Sequence, residues 1–196
     1  MRDQTAEAHD DAPLTTSKDG DADAKLANRV PDVEGRDLSG VTVTVNRPRD
    51  ELFAYWRDFA NLATFMDNVE RIDVHDPLLS HWVVRAPAGQ HVEWNARVTD
   101  EEEGNFIAWA SEPGADVANS GRVDFRDATG GRGTAVTATI AYEPPAGFIG
   151  KVVAKMFQRE PAIQARRDLR RFKQLMETGE IANSRFTRAQ RAADEE

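Results

Sequence analysis

Between Val69 and Glu143 the chain runs through six short segments rich in β-branched and aromatic residues, most of them alternating apolar and polar positions. "HVEWNARV" sets Val92, Trp94, Ala96 and Val98 against His91, Glu93, Asn95 and Arg97. "SGRVDFRD" sets Gly121, Val123 and Phe125 against Arg122, Asp124 and Arg126, and "GTAVTATIAYE" gathers Val136, Ala138, Ile140 and Tyr142 on one side. "NFIAWAS" puts Ile107 with Trp109, "SHWVVRA" is compact, and "VERIDVHD" alternates imperfectly through Val69, Ile72 and Val74. A period of two is the mark of a strand with one buried face. The links "PAGQ", "DEEEGN" and "ATGGRG" have turn chemistry. Links this short make neighbouring strands antiparallel. The sheet is then covered on one side only, and something must cover it.

An earlier strand, Val41 to Val45, carries Val41, Val43 and Val45 on one face. The chain then turns into helix at Pro48, whose fixed φ suits a first turn, with Asp50 and Glu51 favourable at the N-terminus. Leu52, Tyr55, Trp56 and Phe59 form an inward stripe. "NLATFM" reads as a second short helix capped by Asn61. After the meander, Val152, Val153, Met156 and Phe157 make one helical stripe, and Ala165, Leu169, Phe172 and Met176 make another. Pro161 kinks this segment or starts its second part, and Gly179 is placed to stop it. The expected fold is therefore α+β: a curved antiparallel sheet wrapped around a long C-terminal helix, with two short helices after the first strand. This is the helix-grip arrangement.

Residues 1–36 hold no aromatic residue and no sustained period, and are expected to form a disordered acidic tail. The domain spans 37–180, and 181–196 form a polar tail in which Asn183 or Ser184 could cap a frayed helix. No stretch approaches the about 18 apolar residues of a membrane span, and the N-terminus lacks the apolar core of a secretory signal, so a cytoplasmic location is expected. The absence of cysteine excludes disulfides and thiolate catalysis. A net charge of -9 disfavours nucleic acid, and the arginines of "QARRDLRRFK" are expected on a solvated helix face.

The order and spacing of "VEWNARVTDEEEGNFIAWAS", "GRVDFRDATGGRGTAVTATIAYEPPAGFIG" and "DLRRFKQLMETGE" resemble the START-like, or Bet v 1-like (SRPBCC), superfamily, in particular its polyketide cyclase/dehydrase and coenzyme Q-binding START group. The resemblance covers about residues 40–180. It implies an internal cavity and a hydrophobic small molecule as partner. Members carry lipids, bind quinones or shape polyketide chains, so the fold leaves the activity open.

The inward set mixes large residues, Trp109, Phe125 and Tyr142, with small ones, Ala96, Gly121 and Ala138, and small residues beneath a bent sheet leave room. Met156, Phe157, Phe172 and Met176 either fill that room or wall it. The ligand-binding candidates are thus Trp94, Trp109, Phe125, Tyr142, Met156 and Phe157. Trp56 and Trp82 are assigned to core packing or the sheet rim. His91, Glu93, Asn95 and Arg97 should face solvent, since burying a row of charges costs several kcal/mol each. Tyr142 is the one ionisable residue placed inward and the one weak catalytic candidate, with Arg122 or Glu93 joining it only if the faces are inverted. No nucleophile motif or metal-ligand spacing emerges, and no cofactor is implied. Three functions stay open: a carrier or binder of a lipid, quinone or polyketide-like molecule; an aromatase/cyclase or dehydratase that folds such a chain; and, if the domain is solid, an interaction protein.

Overall fold

The computed structural model describes residues 37–86, 89–143 and 161–182. Seven strands form one antiparallel sheet: β1 (Asp37–Val45), β2 (Val69–Val74), β3 (Leu79–Arg85), β4 (His91–Glu102), β5 (Phe106–Ser111), β6 (Ala118–Asp127) and β7 (Thr134–Glu143). Their spatial order is β1-β7-β6-β5-β4-β3-β2. Consecutive strands from β2 to β7 are neighbours, as their short links require, and β1 joins the far side, pairing with β7 from Asp37↔Tyr142 to Val45↔Thr134. Bulges between Val69 and Arg71 and between Val98 and Asp100 help the sheet curl, since an extra residue bends the strand that carries it.

Helix α1 (Arg49–Arg57) and a 3-10 helix (Phe59–Thr64) follow β1, and helix α2 (Pro161–Thr178) packs chiefly on β1. This is the expected helix-grip architecture. Helix α1 buries Leu52, Phe53 and Trp56; Phe53 joins the predicted stripe, while Tyr55 is only half-buried. Helix α2 buries Ala165, Leu169 and Phe172. It ends where expected, with Gly179 at φ 79° and its N–H donating to the Leu175 carbonyl at 2.8 Å, the left-handed cap that glycine enters without a Cβ clash.

Two local expectations fail. The second short helix begins at Phe59, after Asp58, so Asn61 does not cap it. The Asn61 amide instead reaches back to the Tyr55 carbonyl at 3.1 Å and ties the two helices together. Val74 ends the edge strand β2 and is half exposed, beyond the reach of the core. The first stripe of the long C-terminal segment (Val152, Val153, Met156, Phe157), the tail 1–36 and the segment from Asn183 onwards lie outside the described residues.

An apolar hollow beneath the sheet

The alternation of β4 comes out as predicted: Val92, Ala96 and Val98 are buried, Trp94 is half-buried, and His91, Glu93, Asn95 and Arg97 are exposed. Beneath this face, helices and sheet do not close completely. They leave a hollow of about 190 Å³. The sheet supplies Trp82, Trp94, Ala96, Trp109, Ala138, Ile140 and Tyr142; α1 and the 3-10 helix supply Trp56, Phe59 and Leu62; α2 supplies Gln164, Ala165, Asp168 and Leu169.

Why the gap sits here follows from the rings. Trp56 meets Phe172 at 5.0 Å and Phe65 at 5.4 Å between centroids, and Phe125 meets Phe53 at 5.7 Å and Trp56 at 6.2 Å, edge-on. This cluster plugs one end of the grip. Toward β3–β5 the plug ends and three half-buried indoles take over. Trp82 and Trp94 are cross-strand partners whose rings lie nearly parallel, 6.1 Å apart. The Trp82 indole N–H donates to Ser80 Oγ at 3.0 Å, which satisfies its one polar atom.

Trp109 lies over Gly121, its register partner on β6. A Cβ at Gly121 would stand 2.2 Å from the Trp109 ring. The small residue there therefore houses an indole and leaves no empty space. Ala96 and Ala138 do border the hollow.

Of the predicted ligand-binding residues, Trp94, Trp109 and Tyr142 stand on the hollow's wall. Phe125 is 1% exposed in the ring cluster and does not line it. Met156 and Phe157 lie outside the described residues. Trp56 serves the core, as assigned, and also touches the hollow. Trp82 is part of the hollow's flat wall, where core or rim was expected.

The polar groups of the lining were largely missed. Asn119 is buried, its amide donating to the Val117 carbonyl at 3.0 Å. Gln164 and Asp168 stand one turn apart on α2, and the Gln164 amide reaches both carboxyl oxygens, at 3.0 and 3.2 Å. Burial pushes the Asp168 carboxyl up to about 7; the Gln164 amide and the Asp67 backbone N–H oppose the shift, nearby Asp67 adds to it, and Arg171 opposes it. The available signal was its neighbourhood: Asp168 is the one acid in a run of arginines and adjoins Leu169 of the apolar stripe. That run is indeed partly solvated, with Arg167 and Arg170 exposed, but Arg171 turns back onto Asp67 at 2.9 Å and donates to the Phe65 carbonyl at 2.8 Å. Among the described lining residues Arg97 and Asp168 carry the charges, and Arg97 is paired outward with Glu112 at 2.7 Å. No group of three His, Asp or Glu side chains that could hold a metal ion occurs among the described residues, and none of the described helices is long and apolar enough to cross a membrane.

Residues 45–170 match the family described as Polyketide cyclase / dehydrase and lipid transport. An uncharacterized 17.2 kDa protein from the melC2-rnhH intergenic region of Streptomyces lincolnensis is 30% identical over 84 residues, which is 43% of this chain and 55% of that protein. The chain thus spans about half the length of this curated relative. Among solved structures, a Deinococcus radiodurans protein is 39% identical, with 74% of this chain and 99% of that one covered and a TM-score of 0.61. A Streptomyces aromatase/cyclase, at 16% identity, covers 75% of this chain and 99% of its own with a TM-score of 0.58, a likeness of fold.

Proposed function

The chain belongs to the polyketide cyclase/dehydrase and lipid transport family, and from that premise we propose that it takes up a hydrophobic small molecule, a lipid, quinone or polyketide-like compound, in the hollow between sheet and α2. The hollow itself carries this reading. Its wall is almost wholly apolar and borders a space of about 190 Å³, so apolar surface that a guest hides there from water contributes about 25 cal/mol per Å², and without a guest the wall lacks the packing partners of a filled core. A guest with flat apolar faces recovers that packing against Trp82, Trp94 and Trp109. Pockets for drug-sized ligands run to roughly 300–1,000 Å³, so the described hollow suits a small guest or one segment of a larger one.

Native mass spectrometry and organic extraction of the purified protein test the proposal, together with thermal melts in the presence of lipids, quinones and polyketide-like compounds. A bound apolar guest, or a melting temperature that climbs with guest concentration, is the expected result. Protein that is always empty and melts identically in every additive would sink it.

A second reading, an aromatase/cyclase or dehydratase, is favoured by one observation: Tyr142 is 8% exposed and stands on the hollow's wall. A shaped pocket can cyclise a chain largely by holding it in a reactive fold, so one orienting hydroxyl goes far. If turnover of a polyketide-like substrate is found, Tyr142→Phe should lower it by about tenfold or more. Full turnover in that variant removes the role.

A further inference from the structure

The hollow is apolar on nearly every side, yet α2 turns one ionisable group toward it. Asp168 lies a single helical turn from Gln164, whose amide holds both of its carboxyl oxygens. Ala165 and Leu169 flank the pair and pack into the core. Asp67 and Arg171 are the charged groups beside it, and they are committed to each other at 2.9 and 3.0 Å. On the sheet side the ionisable lining residues are Arg97, paired with Glu112, and Tyr142.

We propose that Asp168 is the specificity-determining residue of the hollow, its carboxylic acid donating a hydrogen bond to an uncharged carbonyl oxygen of the guest, so that ketone, quinone or ester groups are selected over plain hydrocarbon. This rests on the reading of the hollow as a guest site and adds the chemical class of the guest. Three physical points lead to it. Gln164 and the Asp67 backbone N–H already supply donors to the carboxyl group, so what Asp168 has to offer a guest is its own proton. A carboxyl group raised to about 7 keeps that proton in about half of the molecules at neutral pH and in most of them at pH 6, and a guest that strips off remaining water shifts the balance further toward the acid. An anionic guest would meet no uncommitted cation among the described lining residues and would have Asp67 nearby.

Calorimetric titration with four probes of one shape class tests this: 2-ethylnaphthalene, 2-acetylnaphthalene, 2-naphthoate and 2-naphthylmethylamine. In the unmodified chain at pH 6 the ketone should bind about three- to tenfold more tightly than the hydrocarbon. That ratio should fall toward one as pH rises through 7, because ionised Asp168 accepts and no longer donates. In Asp168→Leu the ratio should be near one at every pH. In Asp168→Asn, which keeps an N–H donor and the side chain's shape, the preference should survive and lose its pH dependence. A ketone preference that persists in Asp168→Leu overturns the assignment while leaving the hollow a guest site. Tightest binding of the amine or the naphthoate overturns it too, by showing that the site selects charge. If none of the four probes binds while a lipid or quinone still raises the melting temperature, this inference fails and the guest-site reading stands; if nothing raises it, both fail.

Discussion

Phe125 shows what a single side chain's address can decide. It points to the inner face of β6, as its place opposite Arg122, Asp124 and Arg126 demands. Its ring, however, is gripped by Phe53 and Trp56. We therefore expect Phe125→Leu to lower stability by about 1–2 kcal/mol, through lost ring contacts and a small void, and to leave guest affinity within about twofold, a difference of roughly 0.4 kcal/mol. Urea denaturation and guest titration on the same preparation check both halves; a large affinity loss with unchanged stability would return Phe125 to the binding surface. Alternation made the inward direction of Phe125 readable. It was silent on depth, because whether an inward ring meets the plug or the hollow depends on where α1 crosses β6. Gly121 shows the same gap: its small size was legible, but its occupant, the Trp109 ring, becomes visible only through the register Trp109↔Gly121.

Helix α2 is fixed at its middle and at its C-terminal end by groups that hydropathy patterns do not register. Near its middle, Arg171 holds the Phe65 carbonyl and the Asp67 carboxylate. Further along, Lys173 donates to the Thr44 carbonyl, and Arg47 donates to the Met176 and Glu177 carbonyls at 2.7 and 3.2 Å, supplying partners that the last turn of a helix lacks. Arg171→Met keeps an unbranched apolar stem and removes the guanidinium, leaving a half-buried carbonyl and carboxylate without their donor. A loss of about 1–3 kcal/mol is expected, read from the denaturation midpoint. A change of only a few tenths would mean that water replaces the pair. The helix itself was readable from Ala165, Leu169, Phe172 and the glycine stop. The arginine run was read as one solvated face, and that was right for Arg167 and Arg170 but wrong for Arg171, whose partners come from the end of the 3-10 helix about a hundred residues earlier. Asp168 escaped for the same reason: one residue's rotation about the helix axis separates water from hollow, and a charge beside an apolar stripe can fall on either side.

At the scale of the whole molecule, the hollow lies where, among the described residues, the seven curled strands, α1, the 3-10 helix Phe59–Thr64 and α2 do not meet. Sequence patterns fix faces and order, which is why the helix-grip fold was legible; an enclosed volume depends on curvature and on the tilt of α2, which no periodicity encodes. That makes the hollow testable by filling it. Ala96 on β4 and Ala138 on β7 are both about 5% exposed and both border it. Leucine at either position would grow into empty space, each buried methylene contributing about 0.8 kcal/mol, against an overpacking cost of about 1–3 kcal/mol wherever the fit is poor. The unliganded variants should therefore melt within a few degrees of the parent. Any stabilisation by guest, which grows as the logarithm of guest concentration over its dissociation constant, should shrink in each and vanish in the double variant Ala96→Leu/Ala138→Leu. Differential scanning calorimetry with and without guest reads both quantities. Two outcomes would contradict the account: variants that lose several kcal/mol without guest, meaning that sheet and helix already touch, or a guest shift that survives the double replacement, meaning that the molecule binds elsewhere.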